Sequence, residues 1–260
     1  MATVEVEHLS KCFVRGTQRV EALRDVCLHV ADGRFVAIVG PSGCGKSTLL
    51  HIIGGFIPQT SGTVRVDGHE VLAPGPDRGM MFQDLALFPW RTVEGNVGWA
   101  LEVQGRPRAE REAVVERYLG LVGLRDFRRF YPNDLSGGMR QRVALARVLA
   151  FEPGVLLMDE PFGALDAQTR ELMQEELQRI WQHTAKTVLL VTHDIEEAVY
   201  LADHVVVFTA RPGTIKAAFD IKLPQPRGIE VKKSPEFIAY RNTLWDLLRE
   251  EVLRARVGQA

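Results

Sequence analysis

Between an apolar run, Phe35 to Val39, and a second one, Leu49-Leu50-His51-Ile52-Ile53, the chain reads Gly40-Pro41-Ser42-Gly43-Cys44-Gly45-Lys46-Ser47-Thr48. The spacing is G-x-x-x-x-G-K-S, set between an expected strand and an expected helix. Glycines at 40, 43 and 45 let successive backbone N–H groups turn toward one anion, and the helix N-terminus adds its positive dipole end. Lys46 supplies a compact charge for the outer phosphates of a nucleotide, and Ser47 a hydroxyl for Mg²⁺. A glycine-rich turn with a surface lysine would explain the composition but not this spacing in this setting. Two further strand ends carry usable groups. Val155 to Met158 leads into Asp159-Glu160, where carboxylates at the C-terminal end of a parallel strand face a ligand crevice. Asp159 is placed to support a metal and Glu160 to accept a proton from attacking water. Thr187 to Val191 leads into Thr192-His193-Asp194, which puts His193 at the same edge to contact a terminal phosphate. Alone, each would read as an acidic turn or a structural histidine; three converging strand ends favour chemistry.

The elements that must hold these groups alternate in type. Val4 to Leu9, Val26 to Val30 and Thr63 to Val66 read as strands, with turn signals at Asp32-Gly33 and Asp67-Gly68. From Val93 to Ala150 the period lengthens to that of helices, clearest in Arg108 to Leu121 and Met139 to Leu149. Strand patterns return at Val155 to Met158, Thr187 to Val191 and Val205 to Phe208, separated by helical patterns at Ala167 to His183 and Asp194 to Leu201. That alternation predicts parallel strands with crossover helices. Ser234-Pro235-Glu236 reads as a helix start, with Ser234 as cap and Pro235 in the first turn. The prolines around Pro74-Gly75-Pro76 and Pro224 to Pro226 read as loops.

Composition narrows the classes. With 260 residues, 46% hydrophobic and 25% charged, the chain is expected to fold around a sizeable core. A formal net charge of -1 supplies no basic field for nucleic-acid phosphates, so no nucleic acid is expected as a partner. The 3 cysteines, Cys12, Cys27 and Cys44, are an odd count without C-x-x-C spacing, so neither a disulfide framework nor a zinc site is expected, and a reducing compartment fits best. Cys44 lies inside the phosphate loop, so a thiol reagent is expected to inhibit nucleotide binding and MgATP to protect. No apolar run approaches the roughly 20 residues that cross a bilayer.

Leu135-Ser136-Gly137-Gly138-Met139-Arg140-Gln141-Arg142 ahead of a helix resembles the signature motif of ATP-binding cassette (ABC) ATPases. Read physically, it is a second anion site at a helix N-terminus. The resemblance covers nearly the whole chain in family order: Phe13 where an aromatic stacks on adenine, the phosphate loop, Gln83 in Met81-Phe82-Gln83-Asp84, the signature, Asp159-Glu160, Ala164-Leu165-Asp166, and His193. It implies an α/β P-loop NTPase with a mixed, largely parallel sheet core, an N-terminal antiparallel β subdomain and an inserted α-helical subdomain. One ABC ATPase domain would span 1–260, with core and β subdomain in 1–92 and 151–230, helical subdomain in 93–150 and a C-terminal helix in 231–260. The implied cofactors are ATP and Mg²⁺. Gly40, Pro41, Ser42, Gly43, Cys44, Gly45, Lys46, Ser47 and Thr48 would hold phosphate. Ser47, Gln83 and Asp159 would serve the metal, Gln83 also sensing water, while Glu160 would be the general base and His193 the γ-phosphate contact. Ser136, Gly137 and Gly138 would complete a site on a second copy, and Asp166 would lie at the dimer seam, so a homodimer is implied. Met139 and Gly163 depart from the common family pattern at positions that do not touch the chemistry.

Leu85-Ala86-Leu87-Phe88-Pro89-Trp90 is apolar where a loop should be polar; it is either a core insertion or an interface. In the family this stretch receives a short helix of a membrane permease, so Leu87, Phe88 and Trp90 are the expected coupling residues. The pattern resembles bacterial importers, and Gly75-Pro76-Asp77-Arg78-Gly79, Phe88-Pro89-Trp90-Arg91-Thr92-Val93 and Asp194-Ile195-Glu196-Glu197-Ala198 are similar to the nitrate, taurine and aliphatic sulfonate group. That resemblance implies integral permease subunits, indirectly a periplasmic or lipid-anchored solute-binding protein, and a peripheral place on the cytoplasmic face of the inner membrane. The alternative is a soluble ABC ATPase acting on nucleic acid or ribosomes. A P-loop small-molecule kinase is a third reading, opposed by the signature and His193.

Overall fold

The computed structural model describes residues 2–257. Its backbone of order is a six-stranded sheet. The parallel strands β3 (Phe35–Val39), β6 (Arg78–Met81), β7 (Val155–Asp159), β8 (Thr187–Thr192) and β9 (His204–Phe208) are joined by an antiparallel edge strand, β10 (Ile215–Asp220), in the order β10-β9-β3-β8-β7-β6. β3, β7 and β8 are buried along their whole length, as strands covered on both faces must be. Pairing aligns Val39 with Thr192 and Asp159 with Val191, so these three strands end at one level. That register brings the chemistry-bearing loops after 39, 159 and 192 to one sheet edge.

Alternate residues of these strands feed two cores. Phe35, Ala37, Val39, Leu156, Met158, Val188 and Leu190 face one side, packed with α2 (Val93–Val103), α3 (Arg108–Leu121), α4 (Gly137–Leu149), α5 (Ala167–Thr184), α6 (Ile195–Leu201) and α7 (Pro235–Val257). Val36, Ile38, Leu157, Leu189 and Val191 face the other, against α1 (Lys46–Ile53) and an antiparallel sheet. That sheet has the order β2-β1-β4-β5, from β1 (Val4–Arg15), β2 (Gln18–Val30), β4 (Ser61–Val66) and β5 (His69–Glu70). The result is a layered α/β molecule with the expected antiparallel subdomain and helical block. Polar side chains start the helices: Thr92, Ser136, Asp166, Asp194 and Ser234 each accept a backbone N–H of the first turn.

The structure corrects the strand reading in three places. β1 and β2 run well past Leu9 and begin well before Val26, forming a long hairpin. Register shifts at Val6/Leu9, Leu9/Lys11 and Lys11/Cys12 interrupt the period-2 pattern on which the shorter strands rested. β6 leaves no strand pattern in the sequence, because Arg78-Gly79-Met80-Met81 is short, follows a proline-rich loop and includes a glycine. That glycine lies against Val148 of α4, where a Cβ would collide with the valine side chain. β10 is an edge strand, mostly half-exposed, with no strong alternation to mark it.

Candidate nucleotide-binding site

The loop between β3 and α1 wraps over the sheet edge. Gly45 caps α1 with φ 108, a backbone region closed to side chains, and a Cβ there would lie 2.7 Å from the carbonyl oxygen of Ala22 and 2.8 Å from Leu23 Cδ2. The antiparallel sheet therefore presses directly on the loop. Lys46 is buried, and its ammonium donates to the carbonyls of Gly40 (2.8 Å) and Pro41 (3.1 Å). A buried ammonium held by two loop carbonyls is a charge poised for anionic oxygens at the loop's mouth. Cys44 contributes backbone to the loop, but its side chain is 1% exposed and turned beneath it, and burial pushes its thiol pKa up against the opposing pull of Lys46. Such a thiol reacts slowly, which weighs against the expected inhibition of nucleotide binding by a thiol reagent.

A crevice of about 330 Å³ opens above the loop, lined by Phe13, Ser42, Gly43, Lys46, Glu160 and Arg211 among others. At its floor the Ser47 hydroxyl donates to Asp159 Oδ1 at 2.9 Å. Burial raises the Asp159 pKa, while the Ser47 hydrogen bond and nearby His51 pull it down. His51 Nε2 is buried, has no hydrogen-bond partner and sits 3.8 Å from Asp159 Oδ2, so the second carboxylate oxygen faces an imidazole. A hydroxyl and a carboxylate side by side in a partly dry site form a hard oxygen donor pair suited to Mg²⁺. Glu160 adopts φ 46, its N–H donating to Val191 O at 2.9 Å, and His193 Nδ1 lies 3.2 Å from Glu160 Oε2. That unusual backbone turns the carboxylate back over the loop and beside the histidine.

Not every expected residue joins this crevice. Gln83 follows β6 in an exposed turn and does not line it. Ser136, Gly137 and Gly138 begin α4 in the helical block, outside it. Ser136 accepts the Met139 N–H at 3.3 Å, and a Cβ on Gly138 would meet Thr169 Cγ2 at 2.8 Å, so this turn packs tightly on α5. Asp166 caps α5 by accepting from the Thr169 N–H (3.0 Å), which lowers its pKa. Conversely, the crevice contains Arg211, which no sequence motif assigned to it; its Nε donates to Gly43 O at 3.2 Å. It stands 168 residues from its partner, and no local pattern could flag it.

The loop after β6 leads to a second concavity. An apolar groove of about 660 Å³ is lined by Phe56, Phe82, Phe88, Trp99, Val103 and Phe151, among others. Phe88 packs edge-on against Trp99 with ring centroids 5.0 Å apart, and the Arg147 guanidinium lies over its ring at 5.7 Å. Leu87 packs against the larger core, whereas Trp90 is 72% exposed. The apolar stretch is thus part core and part open surface.

The description of the ABC transporter family matches residues 23–163, more than half of the chain. The chain belongs to the ABC transporter family. It is an ATP-binding ATPase. An uncharacterised ABC transporter ATP-binding protein of Methanocaldococcus jannaschii is 50% identical over 252 residues, covering 97% of this chain and 93% of its own length. A nitrate import ATP-binding protein of Synechocystis sp. is 49% identical, covering 95% of each chain, and a taurine import ATP-binding protein of Roseobacter denitrificans is 43% identical, covering 100% of each. Among solved structures, a dimeric ATP-binding cassette in a post-hydrolysis state bound to ADP and Pi superposes with a TM-score of 0.74 at 32% identity, over 85% of this ABC ATPase and 100% of that chain. Among the described residues of this ABC ATPase, no helix is long and apolar enough to cross a membrane.

Proposed function

We propose that this chain is the ATP-hydrolysing subunit of an importer for a small anionic solute such as nitrate, taurine or an aliphatic sulfonate, working as a homodimer beneath separate permease subunits at the cytoplasmic face of the membrane. The observation that carries the ATPase half is the convergence of Lys46, the Ser47–Asp159 pair and the Glu160–His193 pair on one sheet edge. The apolar groove beside Phe88 and the exposed Trp90 support the permease half, and the named import relatives support the solute class.

In this reading Lys46 exchanges its two loop carbonyls for phosphate oxygens, at no added cost of burial because it is already desolvated. The N–H groups from Gly43 to Thr48 orient the same phosphates, and Phe13 offers its exposed ring to adenine. Ser47 and Asp159 hold Mg²⁺, which when bound neutralises charge on the phosphates. Glu160 accepts the proton of the attacking water. His193 keeps the Glu160 carboxylate aimed and reaches the γ-phosphate with its remaining ring edge. Gln83 enters from the loop after β6 to sense metal and water. In a homodimer Ser136, Gly137 and Gly138 of each copy close the other copy's crevice, with Asp166 at the seam. That division of labour accounts for their placement outside the crevice of their own chain.

The test is affinity purification of the tagged chain from membranes in mild detergent, with mass spectrometry of what accompanies it, followed by uptake assays on the permease found. Recovery of a polytopic membrane protein that imports nitrate or a sulfonate supports the proposal. Recovery of ribosomal or DNA-associated proteins alone refutes it.

A further inference from the structure

We propose that His8, Asp25 and Cys27 form a binding site for a zinc-class divalent cation on the antiparallel sheet. The β1–β2 pairing slips between Val6↔Leu28 and Leu9↔Val26, where His8 adopts φ 49, and again between Leu9↔Val26 and Lys11↔Leu23, where Asp25 adopts φ 47. Side chains of two strands thereby converge instead of alternating. His8 Nδ1 lies 2.8 Å from Asp25 Oδ1 and 3.7 Å from Cys27 Sγ, and one ligand atom from each residue falls within 4.8 Å of the other two. A single ring nitrogen faces both a carboxylate and a thiol.

The donors suit zinc and its relatives rather than Mg²⁺. One nitrogen, one sulfur and one oxygen make a three-ligand set that zinc completes tetrahedrally with water, whereas Mg²⁺ demands oxygens. Metal bonds of about 2.0–2.3 Å at tetrahedral angles separate donor atoms by about 3.3–3.8 Å. The nitrogen–sulfur distance already fits. The nitrogen–oxygen distance must open by about half an ångström, which side chains 78% and 68% exposed permit. Neighbouring groups hold the donors in place: the His8 N–H donates to Cys27 Sγ at 3.3 Å, and the Asp25 N–H to Ser10 Oγ at 3.0 Å. Among the described residues no lysine or arginine pairs with Asp25, whose carboxylate faces only the His8 ring. On binding, the Cys27 thiol gives its proton to solvent and the thiolate bonds to the metal, with no redox change. The bound ion ties β1 to β2 at the register slip, stiffening the hairpin that carries Phe13.

The test uses the reduced, metal-stripped full-length chain titrated with Co²⁺ as a spectroscopic probe. The expected result is a thiolate-to-cobalt charge-transfer band that saturates at one equivalent and is displaced by Zn²⁺. Cys27→Ser removes the band, His8→Ala weakens binding at least about tenfold, and Cys12→Ser changes nothing. Circular dichroism and MgATP hydrolysis, unaltered in all three variants, establish that each is folded. No band in the wild-type chain, or a band that survives Cys27→Ser, overturns the proposal.

Discussion

Glu197 offers a quantitative test of how α6 is built. It is 4% exposed, and its Oε2 accepts from the Thr192 hydroxyl at 2.6 Å while Oε1 has no hydrogen-bond partner. Thr192 Oγ1 in turn accepts from the Asp194 N–H at 3.0 Å, so the carboxyl braces the turn that presents His193. Burial is the main cause of a carboxyl pKa raised from 4.5 to about 8, with Asp194 and Glu160 adding to the rise and the Thr192 hydrogen bond and Arg170 opposing it. A group with a raised pKa in the folded state contributes stability below its unfolded pKa. That contribution falls away as pH climbs from about 4.5 through about 8. Replacing it with an amide of the same shape, Glu197→Gln, removes the titration and keeps an acceptor for Thr192. The unpaired amide nitrogen costs about 1–3 kcal/mol at every pH, so the informative quantity is the change in ΔΔG with pH. Between about pH 6 and about pH 9, linkage gives the variant a relative gain of about 3 kcal/mol. Urea unfolding of both proteins at several pH values measures it. A difference that stays constant from pH 6 to pH 9 would refute the assignment of a protonated, buried Glu197.

Four further outcomes are expected. Glu160→Gln retains nucleotide binding and loses about 10²–10⁴-fold in turnover, because the proposed general base is removed and the phosphate loop is untouched; ATP titration beside a phosphate-release assay measures both, and wild-type turnover removes Glu160 from that role. Brief alkylation of the native protein labels exposed Cys27 ahead of buried Cys44, whose thiol is also the harder to ionise; peptide mass spectrometry showing equal rates contradicts the buried placement. Trp90→Ser leaves stability within about 0.5 kcal/mol, as exposed substitutions do, but impairs permease-dependent stimulation of ATPase activity. Phe88→Ser, which strips the ring from Trp99 and Arg147, costs about 2–3 kcal/mol in thermal unfolding.

Much of this molecule was readable from order along the chain. β3, β7 and β8 are continuous apolar runs ended by a glycine loop, an acidic pair and a histidine, and α3 is an amphipathic repeat, because burial on both faces or on one face leaves a periodic trace. The phosphate loop was legible for the same local reason: its glycines, lysine and serine act within a few residues of one another. What the sequence by itself determined is therefore the buried parallel strands, the main helices and the short motif-bearing loops between them, while short β6 and half-exposed edge strand β10 left no such trace.

Only the tertiary structure decided what depends on register and on contacts far apart in sequence. It set the ends of β3, β7 and β8 level, drew Arg211 across to Gly43, left Gln83 and the Ser136–Gly138 turn outside the crevice, and buried the Cys44 thiol beneath the loop it belongs to. It also brought His8 and Asp25 together where the hairpin slips. Strand order and register are fixed by the packing of whole layers, and a side chain's direction at a slip reverses with a shift of one residue. No pattern confined to a short window contains that information.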